Sequence, residues 1–190
     1  FDDAGFSGNY VLGTLPSDER NYCVQYNESD FDFVQRLLAE QGIHYYFIHT
    51  NNSHQLNLQD PNLPYENAAI SKLEFKKSRT GEQMLVTKWQ AKLKLHSSAI
   101  STVNYDYQST QVIDSGDIKS SNDIANNQKL TQYEFGANSI KGDMSDVAST
   151  VSKNRLNQVQ SDFSLVDAAS IVEELVLATQ FNLSAHPDSE

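Results

Sequence analysis

Three observations predict an α+β fold in which antiparallel sheet dominates and two amphipathic helices interrupt it. Residues 29–42 and 143–160 carry apolar side chains at helical spacing. Several other segments are short, β-prone and bounded by turn-forming residues. Nine Phe, nine Tyr and one Trp supply bulky core material to a chain of 190 residues that is 38% apolar.

The elements follow in order. Residues 1–20 are rich in Gly, Asp and Ser and end in the turn-like Pro16-Ser17-Asp18. Residues 21–26 alternate, with Tyr22, Val24 and Tyr26 on one face, and read as a short strand. Ser29 followed by Asp32 has the form of a capping box, in which the hydroxyl accepts from amides of the first helical turn. Phe31, Val34 and Leu38 then form a stripe flanked by Phe33 and Leu37, and Gly42 supplies the left-handed residue that ends the helix. Residues 43–49 and 53–59, separated by Thr50-Asn51-Asn52, read as a hairpin.

Residues 60–67 form a loop with two prolines, and strands are expected at 70–76, 85–95 and 101–108. In the second of these Trp89, Ala91, Leu93 and Leu95 alternate with Gln90, Lys92 and Lys94, the pattern of a strand with one wet face. Residues 109–132 are polar and read as a long surface connection. The second helix follows, through Met144, Val147, Ala148, Val151, Leu156 and Val159, and residues 163–183 give two or three closing strands. No internal repeat of fixed period is visible.

Charge and cysteine content exclude several classes. Twenty-five acidic against 14 basic residues give a net charge of −11, which disfavours binding to a nucleic-acid backbone. The closest approach to a basic cluster, Lys72, Lys76, Lys77 and Arg79, is diluted by Glu74 and Glu82. Cys23 is the single cysteine, so neither an internal disulfide nor a cysteine-based zinc site is expected. No apolar run approaches the ~20 residues that span a bilayer, and the first residues lack the basic and apolar regions of a signal peptide. A chain that starts at Phe1 without methionine reads as a fragment of a longer protein.

Residues with chemical potential have plain structural readings. His44, His49 and His54 are spaced by five, which on a strand points successive members to opposite faces, so exposed hairpin histidines fit better than a metal site. His96 and His186 stand apart from them. Asp30 and Asp32 suit the positive end of a helix, and Glu173-Glu174 interrupts an apolar strand. Cys23, in a strand beside Tyr22, reads as packing. Three Asn-x-Ser triplets, at Asn27, Asn51 and Asn182, carry no weight without a secretory signal. No nucleophile elbow, phosphate loop or dinucleotide fingerprint occurs, and no catalytic, cofactor-binding or metal-binding residue is assigned.

The run from Tyr22 to Phe47, with Gln25-Tyr26-Asn27-Glu28-Ser29-Asp30-Phe31-Asp32-Phe33-Val34 and Gly42-Ile43-His44-Tyr45-Tyr46-Phe47 as its fixed points, resembles the VgrG family of type VI secretion spikes in the region shared with phage tail hubs. Further landmarks follow in family order: His54 to Asp60, Val86 to Trp89, Tyr105-Asp106-Tyr107, Tyr133-Glu134-Phe135-Gly136, and Phe181-Asn182-Leu183 with His186-Pro187. Residues 109–129 match little, and residues 164–174 are unusually acidic and apolar for the pattern.

The resemblance implies barrel-like hub domains, with residues 1–100 as one hub-like α+β domain and 101–190 as a second hub-like β segment with one helix. It implies a homotrimer in the full-length protein, seated on a hexameric Hcp-like tube, with effectors or adaptors as further partners. It also implies assembly in the bacterial cytoplasm, followed by secretion or injection without a signal peptide. The expected role is structural and needs no cofactor or perturbed acid–base pair. Three rivals remain open: the hub of a contractile prophage tail, a carboxylate-dependent cell-wall glycan hydrolase, and a small adaptor that binds an effector through exposed aromatics.

Overall fold

The computed structural model describes residues 1–16, 19–20, 22–60, 62–76, 85–106, 109–122, 124–135 and 144–186. Ser17, Asp18, Asn21, Lys77, Arg79, Glu82, Tyr107, Gly136, Asp143 and Pro187, which figure in the sequence analysis, lie outside the described residues. The chain forms two compact units, each built from separated stretches: residues 1–13, 45–93 and 164–190 in one, and 14–44 and 94–163 in the other.

The first unit holds two sheets. A three-stranded sheet runs in the order β1 (Tyr10–Leu12), β3 (His54–Gln59), β2 (His44–His49). The expected hairpin is β2 and β3. The short β1 lies inside the Gly-rich opening and pairs parallel to β3, Tyr10 opposite Leu56 and Leu12 opposite Leu58. A four-stranded sheet runs β10 (Ser164–Ser170), β5 (Leu85–Leu93), β4 (Glu66–Phe75), β11 (Thr179–Ser184). β10 is antiparallel to β5, whereas β4 is parallel to both β5 and β11, so this sheet is mixed. Its core is Leu73, Val86 and Val172, with Ile70, Phe75, Trp89, Leu175, Phe181 and Leu183 packed around them. Burial of such side chains contributes on the order of 2 kcal/mol each.

The second unit packs α1 (Asp30–Gln41) and α2 (Met144–Gln160) with a sheet centred on β6 (Ala99–Asp106). β7 (Gln111–Asp114) and β8 (Ile118–Lys119) pair antiparallel to β6, and β9 (Thr131–Phe135) pairs parallel to it. α1 begins at Ser29, whose hydroxyl oxygen accepts from the Asp32 amide at 3.1 Å, and stops at Gly42 in the left-handed region at φ 71°. Both ends are where the capping residues put them. α2 buries Ala148, Val151, Ser152 and Leu156.

Five sequence expectations are corrected. Residues 22–26 form no strand: the Val24 carbonyl accepts from the Arg36 guanidinium at 3.4 Å, and alternation alone does not supply a ladder partner. Cys23 is exposed rather than packed. Phe31 is 65% exposed, so the apolar stripe of α1 is uncovered at its first turn. The described residues among 109–132 include β7, β8, the start of β9 and a 3-10 turn at Asn127–Lys129 rather than one long connection. Asn127 there is fully buried; its side-chain amide donates to the His96 and Asn122 carbonyls and its oxygen accepts from the Ile124 amide, and such saturation is what lets a polar residue leave water. Glu173 and Glu174 lie exposed in a turn between β10 and β11 rather than within a strand.

Candidate functional site

The groups singled out by chemistry are not gathered into one place. Among the described residues no three His, Cys, Asp or Glu side chains are grouped to hold a metal ion. His49 and His54 do meet across the hairpin, with ring centroids 6.2 Å apart, and both flank Phe47. His186 packs edge-on against Phe75 at 4.7 Å, and His96 against Phe163 at 5.3 Å. At the start of α1, Asp30 accepts from the Gln25 amide and Asp32 from the Ser29 hydroxyl, both at hydrogen-bond distance (2.7 and 2.6 Å).

Ion pairs organise the surface of α1. Arg36 reaches back to grip Glu28 with two nitrogens, at 2.7 and 3.2 Å, and forward to Glu40 at 3.3 Å. The hydrogen bonds from Arg36 hold the Glu28 carboxyl below its ordinary range, and those to Glu28 push the guanidinium up. Arg20 meets the other oxygen of Glu40 at 2.5 Å. The segment before α1 is therefore fastened by the Arg36–Glu28 fork and the Arg20–Glu40 ion pair instead of a β-ladder.

A cavity of about 340 Å³ lies in the second unit between α1, α2 and the end of β9, lined by Arg36, Ala39, Glu40, Glu134, Val151 and Arg155 among others. Its two carboxylates each face a guanidinium: Glu40 faces Arg20 and Arg36, and Glu134 takes the Arg155 Nε at 2.8 Å. A general acid needs a desolvated carboxyl without such a partner.

The other unusual surface is apolar. β9 turns Gln132 and Glu134 inward, half-buried, and Glu134 meets Arg155 of α2; Tyr133 and Phe135 stand 72% and 77% exposed, and Phe135 also lines the mouth of the cavity. In the first unit every residue of the edge strand β10 is exposed, Leu165 and Val166 included, and the neighbouring Leu93 of β5 is open as well. Lys92 pairs with Asp167 across these two strands, and that pairing lowers the Asp167 carboxyl. Sequence reasoning treated Tyr133-Glu134-Phe135 as a family landmark and missed it as a surface. The signal was present in the alternation Thr131-Gln132-Tyr133-Glu134-Phe135.

No helix among the described residues is long and apolar enough to cross a membrane. Among known proteins, the chain is similar to the type VI secretion system spike protein VgrG4b of Pseudomonas aeruginosa, 25% identical over 186 residues that cover 95% of this chain and 22% of that protein. It is likewise 25% identical to the spike protein VgrG1a of the same organism over 190 residues, 98% of this chain and 29% of the relative. A stretch of 42 residues is 50% identical to the actin cross-linking toxin VgrG1 of Vibrio cholerae, 22% of this chain and 4% of the toxin. The chain thus spans between a fifth and a third of the length of the two long-matching relatives. The model of the phage tail baseplate hub family matches residues 5–190, and the chain belongs to that family.

Proposed function

We propose that this chain is part of the hub of a type VI secretion spike, a mechanical component that assembles as a homotrimer and joins a hexameric Hcp-like tube to the needle above it. The observation that carries the proposal is similarity to two spike proteins along nearly the whole chain, together with the hub family match over residues 5–190. The protein acts by assembly: it forms in the bacterial cytoplasm and leaves with the contracting apparatus, carrying effectors or adaptors attached elsewhere. No catalytic role falls to the residues described; the carboxylates of the cavity are neutralised by Arg20, Arg36 and Arg155.

Deleting the gene in its own host tests this. The proposal predicts that tube protein disappears from the culture medium and returns when the full-length gene is restored. Unchanged tube release in the deletion strain, with no second spike gene expressed, would contradict it. The family description favours one other reading, the hub of a contractile prophage tail. That reading predicts that the product co-sediments with phage-like particles after induction of the lytic cycle.

A further inference from the structure

The β2–β3 hairpin brings together two imidazoles that the sequence keeps apart. Spacing by five sends side chains to opposite faces only within one strand, which describes His44 and His49 of β2. His49 and His54 stand on either side of a turn. The Thr50 amide donates to the Ser53 carbonyl at 2.8 Å, so Thr50 and Ser53 are the hydrogen-bonded pair that closes the turn around Asn51-Asn52. His49 and His54 are the next pair along, ending β2 and opening β3. Pairs in that position exchange no main-chain hydrogen bonds, and their side chains lie closest together on one face of a hairpin. The two rings are 6.2 Å apart, centroid to centroid.

Phe47 supports both rings. It precedes His49 by two positions on the same face of β2, and its ring lies 6.4 Å from that of His49 and 6.2 Å from that of His54. Tyr45 stands edge-on behind it at 6.2 Å. Among the described residues neither imidazole has a hydrogen-bond partner, and both are exposed, so their nitrogens are open to a ligand from solvent.

We propose that His49 and His54 form a two-nitrogen chelate for a divalent transition-metal ion, with water in the remaining coordination positions. Imidazole nitrogens sit about 2.0–2.1 Å from such an ion, which places the centroids of two rings on one ion roughly 5–6 Å apart. Small rotations of two exposed side chains close the difference from 6.2 Å. The donor set names the class of ion. Imidazole suits Cu²⁺, Ni²⁺ and Zn²⁺, whereas Ca²⁺ and Mg²⁺ call for several oxygen ligands. For a fixed pair of nitrogens Cu²⁺ binds most tightly.

Among the described residues no group of three His, Cys, Asp or Glu side chains could hold an ion, so the pair has no third protein ligand of that kind. The site is therefore open and exchangeable, unlike a closed four-ligand structural centre. An ion held by both rings bridges β2 and β3 beside their turn. It binds the folded hairpin and not the unfolded chain, and so stabilises the fold.

The test titrates Ni²⁺ into the tag-free full-length gene product, stripped of metal beforehand, and into His49→Gln, His54→Gln and the double variant. In a chelate the second nitrogen binds intramolecularly, so loss of either ring should weaken the site at least about tenfold, and loss of both should cost little more. Calorimetry is expected to find one more site per chain in the wild type than in the double variant. Ni²⁺ is also expected to raise the melting temperature of the wild type more than that of any variant. Both side chains are exposed, so without metal the variants should keep the wild-type circular dichroism and melting temperature. Identical titrations of wild type and double variant overturn the proposal. Single variants that keep the wild-type affinity and lose only one of two equal sites overturn it as well, because that is how two independent rings behave.

Discussion

The side-chain amide of Asn154, in α2, donates a hydrogen bond of 3.0 Å to the main-chain carbonyl of Glu40, near the end of α1. The last turn of a helix leaves carbonyls without intrahelical partners. Here the Gly42 amide takes the Ala39 carbonyl at 3.1 Å and the Ile43 amide takes that of Leu38 at 2.9 Å, the two bonds of a Schellman ending. Asn154 closes the next one from 114 residues away, which fixes the two helices to each other within their unit.

Gly42 is the residue that lets Asn154 in. Its φ is +71°, and a Cβ there would stand 3.0 Å from the Asn154 amide. Gly42→Ala is expected to cost about 1–2 kcal/mol from left-handed strain and loss of that hydrogen bond. Asn154→Ala alone is expected to cost about 1 kcal/mol. In a double-mutant cycle read by urea denaturation, Asn154→Ala should cost clearly less in the Gly42→Ala background. Strict additivity would show that the two are not coupled.

At the other end of α1, Ser29 caps the Asp32 amide and donates to the Asp32 carboxylate. Ser29→Ala is expected to destabilise the protein by about 1 kcal/mol, and Ser29→Asp to recover most of it. Melting curves of the three proteins check this. Equal stability of Ser29→Ala and wild type would remove the cap from the account.

Ser152 is fully buried, and its hydroxyl lies 2.6 Å from that of Thr102 and 2.9 Å from that of Ser115. Ser152→Ala leaves the Thr102 and Ser115 hydroxyls short of a partner, so a loss of about 1–3 kcal/mol is expected despite the small change in volume. Chemical denaturation reads it directly. A neutral result would mean that the three hydroxyls do not act as a unit.

Acid should weaken the Arg36 fork. The Glu28 carboxyl is lowered in the folded protein by its hydrogen bonds from Arg36, so the unfolded chain binds the proton first as pH falls. The stabilisation is present above the ordinary glutamate value of ~4.3 and disappears as pH drops through the lower folded value. Melting temperatures of wild type and Arg36→Gln should differ at pH 7 and converge at strongly acidic pH. A gap that persists undiminished in acid would assign the effect to packing of Arg36 over Phe33, which lies 5.4 Å away.

Local chemistry was legible wherever it is decided by neighbours in the chain. Ser29, Asp32 and Gly42 announce α1 because caps are short-range hydrogen bonds, and the β2–β3 hairpin follows from two β-prone runs around Thr50-Asn51-Asn52. What failed depends on distant partners. Residues 22–26 alternate like a strand, but the Val24 carbonyl meets the Arg36 guanidinium instead of a ladder, and Tyr10-Val11-Leu12 becomes a strand only because Leu56 and Leu58 lie beside it. Ser152 and Asn127 are buried through hydroxyls and carbonyls more than 30 residues away, which polarity alone conceals. The exposed face of β9 was unreadable for a similar reason: the pattern shows that Tyr133 and Phe135 share a side, and only packing shows which side faces water.

The central claim is that the chain works by assembling. Light scattering after size exclusion of the full-length gene product tests it most directly. The account predicts a mass three times that of one chain, maintained on dilution through the micromolar range. A stable monomer across that range would contradict it.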